Sequence, residues 1–348
     1  MTELLSYECL QIIWFLLWGL LWAIYFMLDG FDLGMGMLLP FITKNEHEKR
    51  VIYNAAGPFW DGNEVWLITA GGVTFAAFPL AYATMFSALY APLLILLFAL
   101  IFRAVSFEYR NKIDNPGWRT IADVCQSLGS FLPALLLGVA FANLFSGLPI
   151  DYEGIYYGNT LKLLSVYGLL GGVLFVLMFC LHGALFLGLR SVGEIHQRAL
   201  DVAKNIWIIL LAVAVAFLLA TKAYTSLYDN YFATPALWLI PIVAVASLVL
   251  MRAFISADKL GFSFILSCLF IVSVTFFGVI GMFPSLIPAI DPGASVTIAR
   301  AASSHYTLGI MFIVAGIFVP IVIFYQAWVY KIFSYKLTPE ELESKHTY

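Results

Sequence analysis

Apolar residues in this chain come in long unbroken stretches, with neither the strict alternation of strands nor the spaced stripe of a half-buried helix. Nine stretches reach bilayer-crossing length, at roughly 10–40, 57–80, 85–109, 121–146, 162–189, 204–222, 235–255, 260–284 and 304–333. A membrane barrel requires a period-two pattern that is absent here. The pattern predicts an all-α membrane protein of nine transmembrane helices. The longest connections, around 147–161 and 285–303, contain Pro149, Pro288 and Pro292. No soluble insertion interrupts the spans, so residues 1–348 read as a single integral membrane domain.

Composition agrees and excludes the soluble classes. Of 348 residues, 62% are hydrophobic and 11% charged, more apolar material than a globular core buries. The net charge of -3 gives no reason to invoke nucleic acid. Charge placement is more informative. Alternate connections hold fourteen Lys and Arg, from Lys44, Lys49 and Arg50 through to Lys331, Lys336 and Lys345, whereas the others hold only Lys162, Lys222 and Arg300. The positive-inside rule then predicts an N-terminus outside and a C-terminus in the cytoplasm. No Lys or Arg precedes Lys44, so the first stretch reads as a retained span.

A weak internal echo accompanies the spans. Leu28-Asp29-Gly30 recurs as Leu181-His182-Gly183, and Phe102-Arg103-Ala104 as Met251-Arg252-Ala253, at similar offsets. The echo predicts two four-helix halves in parallel orientation, 1–150 and 151–285, followed by a ninth helix over 304–333.

Charged groups inside a bilayer cost a few kcal/mol each, and the first three spans hold nearly all of them. At 1.5 Å per residue, Asp32 lies about 12 Å and Asp29 about 16 Å from the cytoplasmic end of the first span near Pro40. Their i, i+3 spacing puts them on one face, which Gly30, Gly34 and Gly36 open to a close neighbour. The second span begins with Gly57 as a cap and Pro58 in the first turn, and Asp61 and Glu64 share a face about 5 and 9 Å from its start. Arg103 follows in the third span, about 10 Å before Arg110. Four carboxylates and one arginine in the cytoplasmic half suit a proton route or ion site. They also suit a structural cluster that fixes helix register.

Other chemistry is thin. His182 reads as near the cytoplasmic end of the fifth span and His305 as near the outer end of the ninth, an unfavourable pair for bis-histidine heme; His47, His196 and His346 fall in connections. Cys9, Cys125, Cys180 and Cys268 show no paired spacing. Tyr152, Tyr156, Tyr157, Tyr224, Tyr228 and Tyr231 read as an interfacial belt.

Several segments carry a resemblance: FDLGMGMLLPF at 31–41, GPFWDGNEVWLITAGG at 57–72, FAAFPLAYATMFSALY at 75–90, FRAVSFEYRNK at 102–112 and FPSLIPAI at 283–290. In these the chain resembles subunit II of the bacterial cytochrome bd quinol oxidases, over nearly its whole length. The resemblance implies a heterodimer in the bacterial cytoplasmic membrane with a subunit I that binds low-spin heme b, high-spin heme b and heme d and oxidises membrane quinol. It also admits a small accessory subunit and a structural quinone held between helices of this chain, at a place the sequence does not assign. Oxygen would be reduced to water with protons drawn from the cytoplasm. The family's proton path would then include Asp61, with Trp60 beside it and Asp29 and Arg103 as matching polar positions. Helical phase extends the set to Glu64 and Asp32. No redox centre is expected in this chain. The rival reading is a stand-alone proton-coupled secondary transporter, although its usual inverted repeats contrast with the parallel echo seen here.

Overall fold

The computed structural model describes residues 5–338, so Lys345 and His346 lie outside the described residues. Helix α1 (Tyr7–Ile42) opens the chain, with the Ser6 hydroxyl accepting from the Cys9 amide at its start. Then come α2 (Glu46–Ala56), α3 (Trp60–Ala77), α4 (Pro79–Ala88), α5 (Tyr90–Tyr109) and α6 (Pro116–Ser146). The second part holds α7 (Val166–Arg190), α8 (Gly193–Tyr224), the short α9 (Tyr228–Ala233), α10 (Leu239–Ser256) and α11 (Leu260–Met282). Strands β1 (Ser285–Ile287) and β2 (Val296–Thr297), a single turn α12 (Ile298–Ala301) and α13 (His305–Ile332) complete it.

Among the described residues, eight helices are long and apolar enough to cross a membrane: α1, α5, α6, α7, α8, α10 with its leading turn, α11 and α13. The stretch predicted as the second crossing differs. It is helical, but Asp61, Asn63 and Glu64 crowd its first turns, and it breaks at Phe78 because Pro79 has no amide hydrogen with which to continue the ladder. Gly57 does not cap this helix. It is the C-cap of α2, and α3 starts two residues beyond Pro58. Helix α2 itself lies in a connection that the apolar pattern leaves unassigned. The antiparallel β1–β2 pair is a small departure from an all-helical reading.

Polar contacts align the helix ends. At the basic end, Lys49 of α2 reaches Asp123 of α6 at 2.8 Å, Arg198 of α8 donates to Ile42 O of α1 at 2.9 Å, and the Leu337 amide donates to Arg190 O of α7 at 2.7 Å. At the other end, the Ser303 amide donates to Ala77 O of α3 at 2.8 Å and the Tyr7 hydroxyl to Ser303 O at 2.9 Å. Tyr231 belongs to this end but not to an exposed belt. It is fully buried, with its hydroxyl donating to Phe277 O at 2.7 Å, whereas Tyr152, Tyr157 and Tyr224 are exposed as expected.

Helix α1 is the axis of the bundle, packed on α3, α6, α7 and α11. Its crossing with α7 rests on glycine. A β-carbon on Gly183 would lie 2.5 Å from the Met35 amide nitrogen, and one on Gly34 would overlap the Phe179 carbonyl, so the two backbones touch. Gly30 meets Phe179 and Gly34 meets Gly183, so α1 and α7 run parallel.

Candidate functional site

The acids of α1 and α3 converge on an arginine that reaches in from α5, and the position of α5 again depends on glycine. A β-carbon on Gly129 of α6 would lie 2.6 Å from Ala99 O and 2.9 Å from the Arg103 β-carbon of α5. That close approach holds α5 against α6 while its Arg103 faces α1 and α3. Arg103 is fully buried. Its Nη2 donates to Asp29 Oδ1 at 2.8 Å and its Nη1 to Glu64 Oε2 at 3.0 Å, so one guanidinium bridges α1 and α3. Asp29 is equally buried, whereas the Glu64 side chain keeps 20% exposure and so forms the outer member of the bridge.

Asp32 takes a different partner. Also fully buried, it accepts at Oδ2 from Asn63 Nδ2 at 2.7 Å. Asn63 Oδ1 in turn accepts from the Tyr330 hydroxyl of α13 at 2.8 Å. Asp61 stands outside both groups: it is exposed at the start of α3 and has no hydrogen bond or ion pair among the described residues. The i, i+3 spacing of Asp61 and Glu64 is real, but the helix edge falls between them. Glu64 turns inward to Arg103 and Asp61 outward. Trp60 stacks on Phe107 with ring centres 5.3 Å apart and planes 2° apart, and Arg103 lies over the same Phe107 ring at 5.6 Å. The aromatic pair thus walls the guanidinium on the Trp60 side.

Among the described residues Asp32 Oδ1 is buried with no hydrogen-bond partner, and Asp29 Oδ2 and the Tyr25 hydroxyl, which lie close to each other, make no hydrogen bond of ordinary geometry. All three belong to α1 and recur at helical spacing. Orphaned buried oxygens call for water or exchangeable protons. His182 is not one of these groups. It lies deeper than its sequence position suggests, donating from Nε2 to Met27 O at 2.9 Å, with Nδ1 2.6 Å from the Ser267 hydroxyl and Phe264 stacked on its ring.

Asn63, Tyr330 and Tyr25 are the participants that sequence reasoning missed. Neutral groups raise no charge alarm in a span, and only the phase of Asn63, turned away from Asp61 on α3, marks it as inward-facing.

A second ionic cluster closes the basic end, tying α2 to the first turns of α6 and α8. Arg110 grips Asp123 through Nε at 2.7 Å and Nη2 at 3.2 Å, and Glu46 at 2.7 and 3.0 Å. Glu48 accepts from the Lys44 amide at 2.6 Å and pairs with Arg198. Burial pushes the Glu48 carboxyl up, but the Lys44 amide and Arg198 outweigh it and hold the group below its ordinary value. Burial beside Asp123 pushes the Tyr53 hydroxyl up.

Comparison with known proteins gives one consistent answer. The chain is 38% identical to the cytochrome bd-I ubiquinol oxidase subunit 2 of Escherichia coli K12, across 98% of each chain. It is 36% identical to the cytochrome bd ubiquinol oxidase subunit 2 of Bacillus subtilis, covering 94% of this chain and 97% of that one. Its fold matches a chain of the bd oxidase from Geobacillus thermodenitrificans with a TM-score of 0.77 at 15% identity, over 93% of this chain and 98% of the other. The family model for cytochrome bd terminal oxidase subunit II matches residues 10–333, and the chain belongs to that family of membrane oxidoreductase subunits.

Proposed function

We propose that this chain is the heme-free partner of a heme-bearing subunit I, and that its acid cluster supplies part of the cytoplasmic proton uptake for reduction of oxygen to water by quinol. The observation that carries the reading is the bridge of buried Arg103 between Asp29 and Glu64, with exposed Asp61 one turn before Glu64 on α3. One guanidinium balances one carboxylate, so a second buried acid beside it is the natural holder of an exchangeable proton. The order Asp61, Glu64, Asp29 then leads from the rim of α3 to the axis helix. Asp32 adjoins Asp29 one turn away, and Trp60 and Phe107 shield the guanidinium.

The reading includes nine crossings with an outside N-terminus and two four-helix halves, 1–150 and 151–285. Its support is the parallel packing of α1 and α7, because two parallel neighbours require an odd number of crossings between them. With α5 and α6 counted, α3 supplies the third. The positive-inside count orients the assembly in a bacterial inner membrane.

Histidine geometry argues for assigning the hemes to subunit I. Both His182 nitrogens are engaged, and His305 Nε2 donates to Leu5 O at 3.0 Å at the opposite end, so these residues do not fit an axial pair. A structural quinone fits better. A cavity of about 570 Å³ between α1, α3, α4, α5 and α6 is lined by Trp22, Phe75, Tyr82, Phe86, Tyr90 and leucines. Its apolar walls suit an isoprenoid tail, and the Trp22 indole N–H is buried without a protein partner. Family membership gives no support to a stand-alone transporter.

The test is oxygen consumption by the purified complex at saturating quinol. Asp61→Asn should slow turnover while heme content stays normal, and Asp61→Glu should retain much of the rate. Normal turnover in Asp61→Asn would remove Asp61 from the route.

A further inference from the structure

Asn63 sits in the most distinctive segment of the sequence, yet the Arg103 bridge makes no use of it. Its surroundings fix its orientation. Two acceptors, Asp32 Oδ2 at 2.7 Å and Leu28 O at 3.3 Å, face its Nδ2, so the amide cannot flip without placing Oδ1 against both. Its Oδ1 therefore faces α13 and accepts the Tyr330 hydroxyl proton at 2.8 Å. Tyr330 is held in turn by its ring, which stacks on Phe59 with centres 4.5 Å apart.

We propose that Tyr330 and Asn63 are positioning residues for Asp32: Tyr330 locks the Asn63 amide, and the amide occupies Asp32 Oδ2, leaving Oδ1 as the oxygen that takes up and releases a proton. This rests on the proton-uptake reading above and adds a second arm to it, one that depends on α13 and does not pass through Arg103. Asp32 Oδ1 is buried with no hydrogen-bond partner among the described residues, and Asp29 lies one turn earlier on the same helix. A carboxylate with both oxygens unpinned rotates about its last torsion and presents either. One pinned by an amide presents a single oxygen in a fixed direction, which is what hand-over between neighbouring acids requires.

The structure supplies its own control. Gln326, one turn before Tyr330 on α13, accepts from Trp66 Nε1 at 3.0 Å and donates to Gly62 O at 2.9 Å. It ties α13 to the same stretch of α3 without touching an acid. The experiment compares Asp32→Asn, Tyr330→Phe, Asn63→Leu and Gln326→Met in the purified complex, recording heme content and the pH profile of quinol-driven oxygen consumption. Tyr330→Phe keeps the stacked ring and removes one hydroxyl. We expect Asp32→Asn to slow turnover roughly a hundredfold, the order by which a misplaced group slows a transfer step. Tyr330→Phe and Asn63→Leu should displace the same limb of the pH profile that Asp32→Asn abolishes, and Gln326→Met should leave the profile as in the parent. Equal losses of heme and rate in Tyr330→Phe and Gln326→Met, with unaltered pH profiles, would show that the contact only docks α13 and would overturn the proposal. A neutral Asp32→Asn alongside a slow Asp61→Asn would overturn it too, while leaving the main route standing.

Discussion

Replacing Arg103 with Met tests whether the acid cluster holds the bundle together, apart from the proton-uptake role proposed for it. The guanidinium and Asp29 both have 0% exposure and meet at 2.8 Å, so Met leaves a carboxylate in the protein interior without its counter-charge. Breaking a buried pair from one side costs roughly 3–5 kcal/mol, chiefly the stranded charge and not the lost attraction. Glu64, with 20% of its side chain exposed, can turn toward water and adds less. Neutralising the stranded groups should therefore restore stability: Arg103→Met combined with Asp29→Asn and Glu64→Gln should recover most of the loss, because neither carboxylate that the guanidinium bridged is left charged. The assay is an SDS titration of the complex in mixed micelles, followed by tryptophan emission. The same samples give turnover, which should stay low in the triple variant despite its recovered stability. If the single variant unfolds within about 1 kcal/mol of the parent, or the triple variant is no more stable than the single, the charge-burial reasoning is wrong.

Two further outcomes follow from the packing and the rim. Gly183→Ala should destabilise the bundle by about 1–3 kcal/mol through overpacking against the Met35 amide, read as a lowered SDS midpoint, while Gly193→Ala, with nothing within 4 Å but a φ of +69°, should act only locally at the start of α8. The Glu48 carboxyl sits below its ordinary value, so its contribution is present above that value and lost as pH falls through the lowered one. Acidification should therefore loosen the contact between α2 and α8 in the parent, seen as faster amide exchange in α2, and Glu48→Gln should flatten that dependence.

The spans were legible because a bilayer imposes continuous apolar runs, and all eight of the long apolar helices coincide with predicted stretches. Helix α2 was not, since 11 mixed residues give no such run, although Asn45 accepting the Glu48 amide at 2.9 Å is an N-terminal capping signature that the sequence displays. Charges marked Asp29, Asp32, Glu64 and Arg103 as polar groups within apolar stretches, and helical phase put Asp29 and Asp32 on one face of α1. Phase could not say where the boundary of the bundle cuts α3, which is why Asp61 and Glu64 part company. Nor could it pair Asp32 with Asn63, 31 residues away, or Asn63 with Tyr330, 267 residues away. Those pairings are tertiary.

The separation of Asp29 from Arg103 by 74 residues has a consequence for biosynthesis. Helix α1 leaves the ribosome carrying two carboxyl groups that will lie in the interior, well before the arginine that completes the bridge has been polymerised. Asn63 is translated first, so an early α1–α3 hairpin can already satisfy Asp32, leaving Asp29 as the group that waits. The nascent chain must hold that hairpin at the insertion machinery until α5 arrives, and a translational pause or early release between the two would strand an acid facing lipid.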